Sequence, residues 1–325
     1  MRNTVNEWLN RWRRRHWRAS ETQDRYRGLE PLVCITGGSD GIGLALAQRF
    51  AKDGHALLLV ARDPSRLEMA RRAVVRETPD AVVHLHHVDL RDAENRRGLE
   101  AYAATLGFYV DVLVNAAGSG LSGPFLSHSA PNIDDLITLN MTALTDLCRK
   151  LLPGMMVRGR GGILNVSSLA GEVPGPFQAA YYASKAYVTS LGAALAHEVS
   201  GHGVRITTLA PGAVDTAFHD RMGAEGSFYL VAFGRQSRAK VAEAGYHGFL
   251  RWRRFVVPGI IHKFNALALH LAPDAVAVPF MGVLLRRRGG VETAAVDEMS
   301  ALEKPADANA AARTVAPDAV VRDGS

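Results

Sequence analysis

Cysteine is scarce. The 325 residues hold only two, Cys34 and Cys148, each inside an apolar run, so neither a disulfide framework nor a cysteine-based zinc site is implied, and a reducing compartment is expected. Long apolar runs are missing too. No stretch reaches the roughly 18 residues that a spanning helix needs, and the N-terminus lacks the apolar segment of a signal peptide. A cytoplasmic protein is the expectation. His84 and His86 share one face of a strand pattern with His87 beside them, but no carboxylate or cysteine completes a ligand set, and no metal is expected. No internal repeat is visible.

What is present is ordinary globular material, 47% hydrophobic and 22% charged. The net charge of +6 is uneven. Residues 1–27 form a basic head containing Arg2, Arg11, Arg13, Arg14, Arg15, Arg18, Arg25 and Arg27 against Glu7, Glu21 and Asp24. Within it Val5, Trp8, Leu9 and Trp12 fall at i, i+3, i+4 and i+7. That suits an interfacial helix on an anionic membrane, or equally a helix packed on its own domain. The head lacks a recognised docking motif for nucleic acid, so no nucleic-acid partner is expected. From Val291 to Ser325 the chain is rich in Ala, Asp and Pro and poor in aromatics, as in a disordered tail.

Between head and tail, short apolar strands alternate with helical patterns: Leu32 to Thr36, Ala56 to Val60, Val82 to Val88, Val112 to Val114, Gly162 to Val166 and Val204 to Leu209, with a seventh strand expected within Arg253 to Val257. The rhythm predicts an α/β fold, a doubly wound parallel sheet over residues 28–257. The strands are apolar throughout because helices cover both faces of such a sheet. A loop or helix pair over 217–233 sits where substrate-covering elements commonly lie. Residues 258–290 read as an apolar helical extension. It is broken by His262, Lys263, Asn265, His270 and Asp274, so it should lie on something, its own active site or a lipid surface, instead of crossing a bilayer.

The first strand runs into Thr36-Gly37-Gly38-Ser39-Asp40-Gly41-Ile42-Gly43 and then a helical pattern from Leu44. Glycines between a strand and a helix let the backbone approach a pyrophosphate, whose charge meets the free N–H groups of the helix N-terminus. About 20 residues further on, NAD-binding folds place an acid against the ribose diol. Here Ala61 and Arg62 stand at that point, which favours the 2′-phosphate of NADP(H), with NAD(H) possible if Asp63 folds back to the ribose. Asp89, ending the third strand, suits either an adenine contact or the N-cap of the next helix. Asn115-Ala116-Ala117-Gly118 ends the fourth strand in residues small enough for a cofactor to lie against the backbone. Tyr181 and Lys185 are one helical turn apart. The ammonium is expected to lower the phenol's pKa from its ordinary value near 10, making Tyr181 a usable acid or base. Ser168, at the end of the fifth strand, faces the same crevice.

Together TGGSDGIG, NAAG at 115–118 and YYASK at 181–185, in this order, resemble the short-chain dehydrogenase/reductase family in its classical type, and more loosely that family's reductases of lipid-like ketones, such as 3-ketodihydrosphingosine reductase. The resemblance implies an NAD(P)-dependent oxidoreductase with an Asn140, Ser168, Tyr181 and Lys185 tetrad. Tyr181 would pass the proton, Ser168 would hold the carbonyl oxygen, Lys185 would bind the nicotinamide ribose, and Asn140 would hold a relay water. It also implies cofactor contacts from Pro211, Gly212 and Thr216. The family's usual chain end is replaced here by Val256-Val257-Pro258-Gly259, which puts the family's tetramer in doubt and leaves the oligomeric state open. A hydrophobic carbonyl or alcohol is the expected substrate; a catalytically silent dinucleotide sensor is the alternative.

Overall fold

In the computed structural model, residues 26, 28–224, 229 and 234–286 are described. The basic head up to residue 25, Arg287, Arg288 and the tail lie outside them, and with these the expectations of an interfacial helix and of a disordered end.

Seven parallel strands form one sheet: β1 (Glu30–Thr36), β2 (Ala56–Ala61), β3 (Val83–His87), β4 (Phe108–Asn115), β5 (Gly161–Val166), β6 (Val204–Leu209) and β7 (Phe255–Val256), in the order β3-β2-β1-β4-β5-β6-β7. This is the expected doubly wound sheet. The order reverses between β1 and β4, and a ligand crevice opens where the carboxyl ends of those strands diverge. Between the strands run α1 (Gly41–Lys52), α2 (Pro64–Glu77), α3 (Ala93–Thr105), α4 (Ala130–Ile137), α5 (Ala143–Arg158), α6 (Ala179–Glu198), a short α7 (Phe218–Arg221) and α8 (Arg238–Leu250).

Each face of the sheet carries its own apolar layer. On one side Val33, Ile35, Leu57 and Leu59 meet Phe50 of α1, Val74 of α2 and Tyr246 and Phe249 of α8. On the other Leu32, Cys34, Leu58 and Leu113 meet Leu99 of α3, Leu147 and Leu151 of α5 and Val188 of α6. Alternate strand residues therefore enter opposite cores, which is why the strands are apolar at almost every position.

One boundary differs markedly from expectation, and the seventh strand falls within Arg253 to Val257. The fourth strand begins at Phe108, four residues early, because Glu30 to Leu32 of β1 pair with Phe108 to Val110 ahead of an irregularity in register. The last strand is only Phe255–Val256, held by Thr208 N donating to Arg254 O at 2.9 Å and Ala210 N donating to Val256 O at 2.8 Å. The apolar extension is two helices, α9 (Ile260–Leu271) and α10 (Asp274–Leu285). Ala277, Met281 and Leu285, four apart on one face of α10, join Tyr181, Tyr182, Val173 and Met222 in a third apolar cluster beside the crevice. The β3 histidines are packing groups: His86 stacks on Tyr102 at 3.9 Å and His84 tilts against Phe108 at 5.1 Å. No metal-holding cluster exists among the described residues.

Candidate active site

A cavity of ≈ 940 Å³ fills the crevice. Its floor at the switch point is built from glycine. Gly37 has φ +66°, and a Cβ there would stand 2.8 Å from the Ala117 backbone. At Gly43 a Cβ would lie 2.3 Å from the Gly37 carbonyl oxygen. No larger residue fits either place, and the two closures bring the start of α1 against the ends of β1 and β4. Thr36 locks them: its Oγ1 donates to Val114 O at 3.3 Å and accepts from Ala116 N at 3.1 Å and Ala117 N at 3.2 Å.

Of the sequence-predicted cofactor contacts, Ser39, Asp40, Gly41, Ile42, Arg62, Asp89, Ala116, Gly118, Pro211, Gly212 and Thr216 all line this cavity. Asn115 does not. Its amide is buried and donates to Asn165 Oδ1 at 2.9 Å, stitching β4 to β5 behind the wall. Asp63 is the N-cap of α2, its Oδ1 accepting from Ser65 N at 2.9 Å and Arg66 N at 3.0 Å, and it also lines the cavity. Asp89 is not the cap of α3; Asp92 is. Arg91 grips Asp89 at 2.6 Å and holds its carboxyl below the usual carboxylate range.

Arg62 is exposed, its guanidinium 4.0 Å from Asp89. Arg66 lines the same end and was missed in the sequence, although its i+4 spacing from Arg62 at the start of a helix was the available signal. At the helix N-terminus burial pushes the Asp40 carboxyl up, but hydrogen bonds from Arg221 at 2.9 Å and Gly41 N at 2.6 Å outweigh it and leave the pKa lowered.

The reacting groups come from β5 and α6. Ser168 follows the strand; its Oγ accepts from Ala170 N at 3.1 Å and donates to Pro211 O at 3.5 Å, and its hydroxyl acts to lower the Tyr181 pKa. Lys185 Nζ donates to Val166 O at 3.0 Å and lies 5.8 Å from the centre of the Tyr181 ring. The expected direction of the Tyr181 shift is overturned. Burial pushes the phenol up to about 12, the Ser168 hydrogen bond opposes this only in part, and Lys185 contributes no lowering. Lys185 is itself pulled down to about 8 by burial. At neutral pH Tyr181 is therefore a protonated acid, held so by the dry wall around it.

Asn140 sits in a π-helical turn, Thr138–Thr142, between α4 and α5. Its Oδ1 accepts from Ser119 N at 2.9 Å, while Nδ2 donates to Ser119 O at 2.9 Å and Ser184 Oγ at 3.0 Å. Both amide hydrogens are used, and Oδ1 takes one donor. Asn140 is a positioning residue that ties the Gly118 segment to α6, and Ser184 passes the tie on by donating to Tyr181 O at 2.7 Å. The rest of the wall was not legible in sequence: Tyr182, Phe218, His219, Tyr229, His262, Phe280, Met281 and Leu284 converge from four separate segments.

Lys185 makes stability depend on pH. Between about 8 and the ordinary lysine value of 10.5, the unfolded chain carries a proton there that the folded chain has lost. Unfolding then takes up a proton, and stability rises with pH across that window. Relative to Lys185→Met, the wild type should gain about 2 kcal/mol between pH 8 and 10 in urea titrations. Parallel profiles for the two proteins would show Lys185 to be solvated like a surface lysine.

The family model "short chain dehydrogenase" matches residues 31–225. The ketoacyl reductase HetN of Nostoc sp. is 35% identical over 182 residues, covering 56% of this chain and 63% of that one. The very-long-chain 3-oxoacyl-CoA reductase of Mycosarcoma maydis is 33% identical, covering 54% of this chain and 51% of that one. The chain thus spans between half and two thirds of the length of these two relatives. Among solved structures, a short-chain dehydrogenase from Sphingobium yanoikuyae in complex with NADPH is 32% identical with a TM-score of 0.66, covering 73% of this chain and 92% of that one. With the family model spanning the glycine floor, the Asn140 turn and the Ser168, Tyr181 and Lys185 cluster, the chain belongs to the short chain dehydrogenase family.

Proposed function

We propose that the protein is an NADP(H)-dependent reductase of hydrophobic ketones or aldehydes, with Tyr181 as the proton donor. The observation that carries this is the convergence of Ser168, Tyr181 and Lys185 on the wall of the cavity that also holds the glycine cradle, with Lys185 fixed on the Val166 carbonyl. The residues fit a dinucleotide. Gly37 and Gly43 leave a cradle that a Cβ would fill, the α1 N-terminus faces it, and Arg62 and Arg66 stand at its outer end without an acceptor acid on Ala61.

When bound, the nicotinamide supplies the hydride that goes to the carbonyl carbon. The chain's own residues handle the oxygen. Ser168 donates a hydrogen bond to the carbonyl oxygen as negative charge grows on it, and Tyr181 passes its proton to that oxygen to complete the alcohol. Lys185 is the nearby cation, and the Val166 carbonyl fixes its position. Asn140, Ser119 and Ser184 hold α6 in place beneath Tyr181. An apolar substrate follows from the lining beside Tyr181: Phe218, Phe280, Met281 and Leu284 offer no charge to a hydrophilic one.

We further propose that α9 and α10 rest on an anionic lipid surface from which such a substrate enters. Ile260, Ile261, Phe264, Val276, Phe280 and Val283 are exposed, between 52% and 72%. Phe280 belongs both to this surface and to the cavity wall, and Lys263 lies among these groups in sequence. No helix among the described residues is long and apolar enough to cross a membrane.

Three measurements test this section. Tyr181→Phe should lower kcat for NADPH-dependent reduction of a long-chain ketone by about 100-fold or more with little change in KM; wild-type rates in the variant would remove Tyr181 from proton delivery. Arg62→Ala should weaken NADPH binding by about tenfold or more and NADH binding far less; equal effects on both would reject a phosphate contact. Co-sedimentation with phosphatidylserine-containing liposomes should fall sharply in a Phe264→Glu, Val276→Glu, Val283→Glu variant. Wild-type protein that stays in the supernatant would dismiss the lipid surface.

A further inference from the structure

The cavity holds a second polar pair that plays no part in proton delivery. His219, from α7, and Tyr229 both line it, and Tyr229 Oη lies 2.7 Å from His219 Nδ1. Their surroundings are apolar and aromatic. The Phe218 ring is 5.6 Å from that of Tyr181 and 5.8 Å from that of His219, and the His219 and Tyr229 rings meet edge-on at 5.8 Å. The pair and the proton donor are thus neighbours of one ring, along one wall.

Polar groups cost free energy in such a wall unless hydrogen-bonded, and the mutual bond satisfies one nitrogen and the phenol. Burial, with Arg235 second, pulls His219 down to about 4, and burial raises Tyr229, so both are uncharged over the physiological range. Arg235 is itself shared between Asp215 and Asp220, each at 3.9 Å. A neutral imidazole and a neutral phenol can donate to or accept from an uncharged oxygen. They cannot compensate the desolvation of a carboxylate or an ammonium.

We propose that His219 and Tyr229 are specificity-determining residues that hold a second, uncharged oxygen of the substrate, so that the preferred substrate is an apolar chain bearing two neutral oxygens near one end. This deepens the reductase reading and rests on it. An oxo ester or oxo thioester has this chemistry; a hydrocarbon ketone has only the reacting oxygen, and its chain would leave the pair facing apolar carbon.

The test compares a methyl ketone with an oxo methyl ester of equal chain length, both reduced with NADPH, in the wild type, His219→Phe, Tyr229→Phe and His219→Gln. The wild type should prefer the oxo ester by about tenfold or more in kcat/KM, mostly through KM, as expected for one neutral hydrogen bond. Both Phe variants should bring the preference close to one, and His219→Gln, which restores a neutral hydrogen-bonding group, should recover most of it. A wild type without preference, or Phe variants that keep it, overturns the proposal, and variants that lose the fold leave the wild-type preference and the Gln variant to decide. Binding of the matching hydroxy ester and plain alcohol is followed in parallel by thermal shift. If the hydroxy ester binds more tightly in a His219- and Tyr229-dependent way while neither ketone is reduced, the pair stands and the reductase reading falls.

Discussion

The hydrogen bond from Lys185 Nζ to the carbonyl of Val166, 3.0 Å long, holds the site together. It fastens the middle of α6 to the last residue of β5, and every reacting group is placed relative to that junction. Ser168 lies two residues past the strand end and Tyr181 one turn before the lysine. The backbone side of the same junction is also tied, with Ser167 Oγ donating to Lys185 O at 3.0 Å. A Cβ on Gly171 would come within 2.7 Å of that same carbonyl, so the turn after Ser168 closes on α6 only because it carries no side chain. Burying an ammonium this way is costly, and the fall of the Lys185 pKa to about 8 measures the cost.

The same dryness decides what Tyr181 can do. A lysine beside a tyrosine in water favours the phenolate, but here both groups lie behind the aromatic and apolar wall, and removal from water dominates. The phenol keeps its proton and the ammonium is poised to lose its own. A protonated phenol beside a serine hydroxyl on the same wall can serve as a donor to developing negative charge, which is the state that reduction needs at its start.

The sheet was legible in the sequence because a doubly covered parallel strand needs apolar residues on both faces, and Leu32 to Thr36 or Ala56 to Val60 admit no other explanation. The glycine floor was equally legible, since Gly37 and Gly43 have a local steric cause. What failed depended on neighbours distant in sequence. The start of β4 at Phe108 was not legible from the short apolar run Val112 to Val114; Asp111 within the strand is met at 3.1 Å by Arg160, 49 residues away. Asn115 looked like a cofactor contact until Asn165 claimed its amide. The sign of the Tyr181 shift needed the burial supplied by Phe218 and α10, and the cap of α3 passed from Asp89 to Asp92 because Arg91 holds the former. His219, Tyr229 and His262 gave no signal at all, as each lies in a segment without motif periodicity.

Polarity also grades along the cavity. One end carries Arg62, Arg66 and the Asp40 to Arg221 ion pair; the other carries Phe280, Met281 and Leu284. A phosphate group would lose its hydration without compensation at the apolar end, and a hydrocarbon chain would gain nothing at the charged one. The two kinds of ligand are therefore sorted before any specific contact forms, and they meet where the gradient crosses over, at Ser168 and Tyr181. His219 and Tyr229 stand just on the apolar side of that crossing.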